Sequence, residues 1–560
     1  MSARQGRRSS RRSRRSTFVS PGRLPHKRST PDHVLRARRD IAMRKRPRDV
    51  HAPILLHDRL ADATRTGCWV AFFLGTTAAT VISGLTLVFD IALRENPALK
   101  AFAPSGVTIV STSLLALAVG IRVPQRIAIW VGRFARRHVV RDGSEQPAPD
   151  AVVRPGAPER KLYWTAFSFV SLAAGVSVAL LPVWVLAVLR VDACMHAHFV
   201  WSHVPLATLN LGVSFLAGFI PLALLGLALS CTHHLCCPHG QWDTRATAWA
   251  LVGAGVGIGL VDRWTVSTGK MPPMLIAAAI PPLLLAIGAA WLGSNGDSCA
   301  PPAVDTATDP LPTSSDRWPT LLRASIIAVG GGSVCAMTVA ADWLSGGDAT
   351  GFRVLSPLVL ATGIGIALGA RSRQAIPHTI GAFGMCCAFA GVAVGFMTYA
   401  LAVGSAVRLW LAIPLAMCGT AAIGYATSYG RTVLLSRVAR RSSAGARTLT
   451  YQLICAAATV MFAVPLAVYF FREPATLMLL SMSLIALGGL LVIYEPSYAP
   501  RVRRARLKAV YGSLAAMILL ASVAAVSRVS PSPIELSGDS RSAPTATRSH
   551  RNHEITENDR

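Results

Sequence analysis

The sequence predicts an all-α, polytopic integral membrane protein built as two pseudo-repeated six-helix halves plus a thirteenth helix. Of its 560 residues, 52% are hydrophobic and 15% charged, against roughly a quarter charged in a soluble domain. Apolar runs of about 20 residues, enough to cross a bilayer, recur thirteen times between Gly67 and Val526. The basic residues collect in alternate connections between these runs, a pattern that sets membrane orientation.

Residues 1–65 hold 19 basic and 5 acidic residues among Ser and Pro. Their apolar surface is too small to offset the entropy of folding, so a disordered basic cytoplasmic tail is expected. Such a tail fixes orientation by charge, or contacts anionic lipid or RNA. The first half, 66–293, holds spans 1 to 6 at 67–93, 105–121, 162–189, 205–231, 246–261 and 272–293. The segment 294–319, rich in Pro, Thr and Asp, has the composition of a linker. The second half, 320–494, holds spans 7 to 12 at 320–343, 354–370, 378–402, 406–428, 449–470 and 474–494. A basic loop and span 13, at 509–527, occupy 495–527, and 528–560 is a polar tail.

With the N-terminus in the cytoplasm, the inside segments carry 42 Lys and Arg and the outside segments 13. Lys and Arg stay on the cytoplasmic side, so a multi-pass protein of the cell (inner) membrane with a cytoplasmic N-terminus is expected. In a soluble protein, 56 basic against 27 acidic residues would suggest nucleic acid. Concentrated in the inside segments, they imply a lipid bilayer and no specific nucleic-acid partner. The eleven cysteines are scattered, mostly within apolar runs, and read as small packing residues.

Three matches recur in order in the two halves. Spans 1 and 7 end near Asp90 and Asp342. Spans 2 and 8 close with Leu117-Ala118-Val119-Gly120-Ile121-Arg122 and Ile366-Ala367-Leu368-Gly369-Ala370-Arg371. Spans 4 and 10 contain Ile220-Pro221-Leu222-Ala223 and Ile413-Pro414-Leu415-Ala416, followed by Gly226 and Gly419 at the same spacing. A duplicated half, typical of transporters, follows from the shared order, and Gly120, Arg122, Pro221, Gly369, Arg371 and Pro414 become candidate conformational positions.

This arrangement resembles the major facilitator superfamily, in which twelve helices form two six-helix halves joined by a cytoplasmic loop. More narrowly it is similar to the membrane region of fused transporter-like/spermidine-synthase-like proteins. The resemblance is carried by Ser83-Gly84, Val88-Phe89-Asp90 with Arg94, Leu117 to Gly120, Phe219-Ile220-Pro221 with Leu225-Gly226, and Gly253-Ala254 with Gly257. Asp90 stands where that family has Glu, and Thr247 and Ala250 replace its Tyr and Asn. After Tyr494 come a basic loop, one helix and a short tail, so the synthase activity is not expected. The resemblance implies transport by alternating access, with a polyamine or another organic cation as a candidate solute.

Ionisable groups within apolar spans are costly, about 2.5–3.5 kcal/mol at a helix centre on insertion scales. Asp90 and Asp342 are therefore candidate substrate- or ion-coupling residues, with Arg94 one turn from Asp90 as its partner. Cys231, His233, His234, Cys236, Cys237 and His239 place six soft or borderline ligands within nine residues, a set that suits zinc or copper. A juxtamembrane loop or cysteine lipidation explains the same cluster. His196, His198 and His203 fall in the outside loop after span 3. The run Ile326 to Gly332 mimics a nucleotide-binding loop but lies inside an apolar span, where glycines allow close helix contact. No nucleophile elbow, zinc-protease helix or phosphate loop occurs in the sequence, so an enzyme is not expected. The reading is a transporter of a small solute. The alternatives are a non-transporting scaffold, a metal or pH sensor, or a membrane subunit for a separate enzyme.

Overall fold

A computed structural model describes residues 52–95, 106–141, 157–198, 203–236, 244–268, 272–294, 318–345, 351–372, 379–402, 409–437, 443–463, 473–495 and 500–529. By compactness the chain divides into Met1–Asp58 and Arg59–Arg560, and the membrane spans all belong to the second unit. The N-terminal segment to residue 51, most of the linker and the C-terminal tail lie outside the described residues, as do the expectations placed on them.

The described residues are helical almost throughout. Among them eleven helices are long and apolar enough to cross a membrane, or twelve if the bent pair of span 3 is one crossing. Span 11 adds a shorter apolar helix, Thr448–Phe462. Phe169, Val183, Ile287 and Leu519 are each about two-thirds exposed. A soluble protein rarely leaves so much apolar surface in water, whereas lipid tails accept it without cost.

Several boundaries differ from those expected, each for a local reason. The first helix, Ala52–Glu95, starts inside the segment read as tail, and the second runs on to Arg141. Span 3 is two helices, Ala157–Ala179 and Leu181–His198, bent by 56°. Pro182 has no N–H for the carbonyl one turn back, and the bonds Leu180 N to Val176 O and Trp184 N to Leu180 O bridge the break at 3.0 Å. Span 6 breaks likewise before Pro281-Pro282, into Pro272–Ala277 and Ile280–Ser294. Span 11 is Ser443–Ala458 followed by a π turn, Thr459–Ala463, and the expected end of the span, 464–470, lies outside the described residues. The Thr459 hydroxyl donates to Cys455 O at 2.8 Å, competing for the carbonyl that the next helical N–H would use. Residues 500–508 are not a loop: the last helix spans Pro500–Val529, because Pro suits a first helical position and Arg, Lys, Leu and Ala are good helix formers.

Within each half, span 2 packs on span 4 and span 8 on span 10. Span 3 packs on span 6, span 9 on span 12 and span 7 on span 11. Span 1 packs on span 5, where Trp69 lies 5.7 Å from Trp249 and Gly75 faces the Ala250 carbonyl. The halves meet where span 5 lies along span 8 and span 2 along span 11. Adding six to each number, counted around twelve, turns every one of these contacts into another of the same set.

The likeness extends to single residues. A Cβ on Gly120 would strike the Ala223 carbonyl, and one on Gly226 would lie 2.5 Å from Leu117 O. In spans 8 and 10, Gly365 faces the Ala421 carbonyl and Gly424 the Thr362 carbonyl. In both pairs the two contacts are three residues apart on each helix. The same contact pattern thus recurs at Gly120 and Gly226 and at Gly365 and Gly424, about one turn away from the Gly369 and Gly419 of the sequence match. A Cβ on Gly369 would instead lie 2.8 Å from Ser428 Cβ and 2.9 Å from Tyr425 O, and one on Gly419 would meet Met397 of span 9.

Span 13 packs only on spans 9 and 12 among the described spans with substantial contact, through Val510 and Met517. Beside it, the buried Glu495 carboxylate accepts hydrogen bonds from Ile380 N at 3.2 Å and from Gly381 N. It thereby caps two of the amides that start span 9 and complements that helix's positive end. Glu495→Ala is expected to lower stability by about 1–3 kcal/mol, because two buried amides lose their acceptor. Glu495→Gln, which keeps an acceptor oxygen, should cost less; equal melting temperatures for wild type and Glu495→Ala in detergent would contradict the cap.

Candidate functional site at the seam between the halves

Span 5, Thr244–Thr268, carries Gly253-Ala254-Gly255-Val256-Gly257-Ile258-Gly259. In a helix, residues two apart point about 200° from each other and residues four apart nearly coincide. Alternate glycines therefore line opposite faces. Gly253 and Gly257 face span 1, where Phe72 O and, at 2.5 Å from a Cβ on Gly257, Thr76 O would block any side chain. Gly255 and Gly259 face span 8, where a Cβ would lie 2.5 Å from Leu360 Cγ and 3.0 Å from Ser356 Oγ. From the other side, Gly363 would place a Cβ 2.9 Å from Val252 N.

Polar contacts mark this seam along its length. Mid-seam, Ser356 Oγ donates to Gly255 O at 2.9 Å. Where span 5 ends, Arg353 Nε lies 3.3 Å from Asp262 Oδ2, with Arg353 exposed and Asp262 half-buried, a pair worth about 0–1 kcal/mol. Where span 5 begins, Arg431 of span 10 is 3% exposed, and its Nη1 donates to Thr247 Oγ1 at 3.2 Å. Six residues earlier in span 10, Tyr425 stacks on Tyr429 with centroids 6.5 Å apart and donates to Ser372 Oγ at 3.1 Å. Arg431 is thus a buried guanidinium at the meeting of the two halves, the kind of group that is costly in a span unless its donors are satisfied.

The second seam includes an apolar cluster. Ile121 of span 2 and Leu449 of span 11 are both buried and pack with Leu229 and Leu453. Beyond them, Gln452 Nε2 reaches Ile326 O at 3.4 Å. Gly330 and Gly331 of span 7 admit Gln452 and Cys455 of span 11, so the glycine run that mimics a nucleotide loop is a helix-packing surface.

The residues singled out from sequence are dispersed. Asp90 and Asp342 fall near the C-terminal ends of helices Ala52–Glu95 and Trp318–Ser345, and their side chains, with that of Arg94, lie outside the described residues. Gly120 lines the contact of spans 2 and 4, while Arg122 is half-buried at the end of the span and Arg371 is exposed. Pro221 is buried and Pro414 exposed, so these two matched prolines have unlike surroundings. Cys231 is buried within helix His203–Cys236, whose last turn also holds His233, His234 and Cys236. That part of the cluster is helix rather than loop. The side chains of His233, His234 and Cys236 lie outside the described residues, as do Cys237 and His239, and no group of three metal-capable side chains occurs among the described ones. His196 and His198 end the helix Leu181–His198, and His203 begins the next.

Arg431 and Glu495 were missed because both were assigned to connections. The signal for Arg431 was the apolar run Thr432-Val433-Leu434-Leu435 just after it, which extends the span past 428.

No family model matches the chain, and no curated protein matches it by sequence. Among solved structures, the chain is similar to the proton:xylose symporter XylE of the major facilitator superfamily, at 11% identity and a TM-score of 0.44, covering 79% of this chain and 96% of that one. It is also similar to the E. coli fucose:proton symporter FucP, at 11% identity and a TM-score of 0.41, covering 76% and 97% respectively.

The Thr247–Arg431 contact gives a direct test. Thr247→Val keeps the side-chain volume and removes the acceptor, and should lower the stability of the purified protein by about 1–3 kcal/mol. Thr247→Ser should retain most of it. Identical melting curves for Thr247→Val and wild type would show that the contact contributes nothing.

Proposed function

We propose that the protein is a multi-pass membrane transporter that moves a small solute by rocking its two six-helix halves against each other. The observation that carries this reading is the pairing of spans. Each of the main intra-half pairings described above has a counterpart six spans on, and the halves touch through two seams that the same shift exchanges. Such a duplicated arrangement places a site between the halves and lets either end of the seam open. Glycines on span 5 bring its backbone close to span 8, and the break in span 3 and the π turn in span 11 give the helices places to bend.

The resemblance to major-facilitator proteins and to the membrane region of the fused transporter-like/spermidine-synthase-like proteins supports the same reading. Asp90 and Asp342 favour a cationic solute, an organic cation or polyamine, because a carboxylate near a half-helix end holds a cation or exchanges protons. Orientation with the N-terminus in the cytoplasm follows from the placement of Lys and Arg.

Selective binding must raise native-state stability, by about 2.7 kcal/mol at one hundred times Kd. The detergent-purified protein is therefore expected to melt higher with one class among polyamines, amino acids, sugars and divalent metals. Asp90→Asn and Asp342→Asn should abolish the gain if that class is cationic. Stabilisation by zinc or copper alone, unchanged in both variants, would overturn the transporter reading and point to the cluster at Cys231.

A further inference from the structure

Span 13 begins with Arg501, Arg503, Arg504, Arg506 and Lys508, and no acidic residue occurs anywhere in Pro500–Val529. Its packed face is marked by Val510, Met517 and Ala524, all buried, the first two of which meet Gly489 and Gly395. At 100° per residue, Arg501, Arg504 and Lys508 fall within an arc of about 60° centred roughly 170° from that packed line. All three are exposed; on the packed side Arg503 is exposed and Arg506 half-buried, so it is the helical angle that sets the three apart. The stripe therefore faces away from spans 9 and 12, toward lipid. Tyr511 and Leu519 continue the same side at 60% and 66% exposure.

Depth points to the same partner. From Ala509 to Val529 the helix is about 31 Å long, matching a hydrocarbon core of about 30 Å. Lys508 then sits at the hydrocarbon edge and Arg501 about 10 Å beyond it, across the headgroup layer. Tyr511 lies just inside, where aromatic belts form. The N-terminal amides of the helix add positive potential at the same end. Orientation by charge requires basic residues at this end of the span but no particular face; their alignment on the lipid side is a separate feature.

We propose that Arg501, Arg504 and Lys508 form a binding stripe for the phosphate headgroups of anionic phospholipids in the leaflet where span 13 begins. The stripe would hold a shell of acidic lipid against the second half, to which span 13 is packed.

The test uses the full-length protein in neutral detergent, with dioleoyl-phosphatidylglycerol or dioleoyl-phosphatidylcholine added, reading melting temperature and lipids retained by native mass spectrometry. Wild type should prefer the anionic lipid on the order of 100-fold, three cations acting together. R501Q/R504Q/K508Q should lose most of that preference, and R501K/R504K should keep most of it. Raising salt from roughly 0.1 to 1 M should collapse the wild-type preference, a result that does not depend on the triple variant folding. Equal retention of the two lipids by wild type, an unchanged preference in a folded triple variant, a salt-independent preference, or equal stabilisation by inorganic phosphate would each overturn the proposal.

Discussion

Two helices in lipid gain nothing from hiding apolar surface, because the surrounding tails are as apolar as they are, so association rests on close packing and on hydrogen bonds. Span 5 meets this constraint on two faces at once. Glycines at alternate positions remove the side chains that would hold it away from span 1 on one side and span 8 on the other. The first contact builds the first half, and the second joins the halves. A single added methyl group at Gly257 would press on a main-chain carbonyl rather than on a side chain that could turn aside, so the remedy would have to be a shift of a whole helix.

The polar groups complete what the glycines permit. Ser356 crosses the seam to a main-chain carbonyl, a bond that adds direction to a surface with little shape of its own. Arg431 and Thr247 close the end where span 5 begins, while Asp262 and Arg353 meet at the opposite end in a more exposed setting. These differ in kind: Arg353 is exposed and its pairing with Asp262 competes with water, whereas a buried guanidinium deprived of its partners is costly.

Much of this was legible in the sequence because bilayer thickness and charge bias act on long stretches of chain. The helical class and the rough limits of the spans follow from runs such as Leu321 to Ala341, and the thin character of span 5 from Gly253 to Gly259. Residue-level equivalence between the halves was less legible. Matches among Ala, Leu, Gly and Pro selected Gly369 and Gly419, whereas the contacts select Gly365 and Gly424, because small residues recur about every turn and neighbouring registers look alike. Arg431 and Glu495 were hidden for the opposite reason: a charged residue ends an apolar run on paper, and only the fold shows that the helix, or its packing, continues around it. The Cys231 to His239 cluster read as a loop for want of apolar residues, although its first part is the last turn of span 4.

The central claim is that the halves meet along spans 5 and 8, and Gly259 and Ser356 allow it to be measured in the membrane. A Cβ at Gly259 lies 3.8 Å from Ser356 Cβ, the mean separation of about 3.8 Å across a disulfide. With Gly259→Cys and Ser356→Cys introduced into a chain otherwise free of cysteine, and a protease site placed in the 294–319 linker, mild oxidation should leave the cleaved halves migrating as one band until reductant is added. Two separate bands after oxidation would contradict the seam and the paired arrangement built on it.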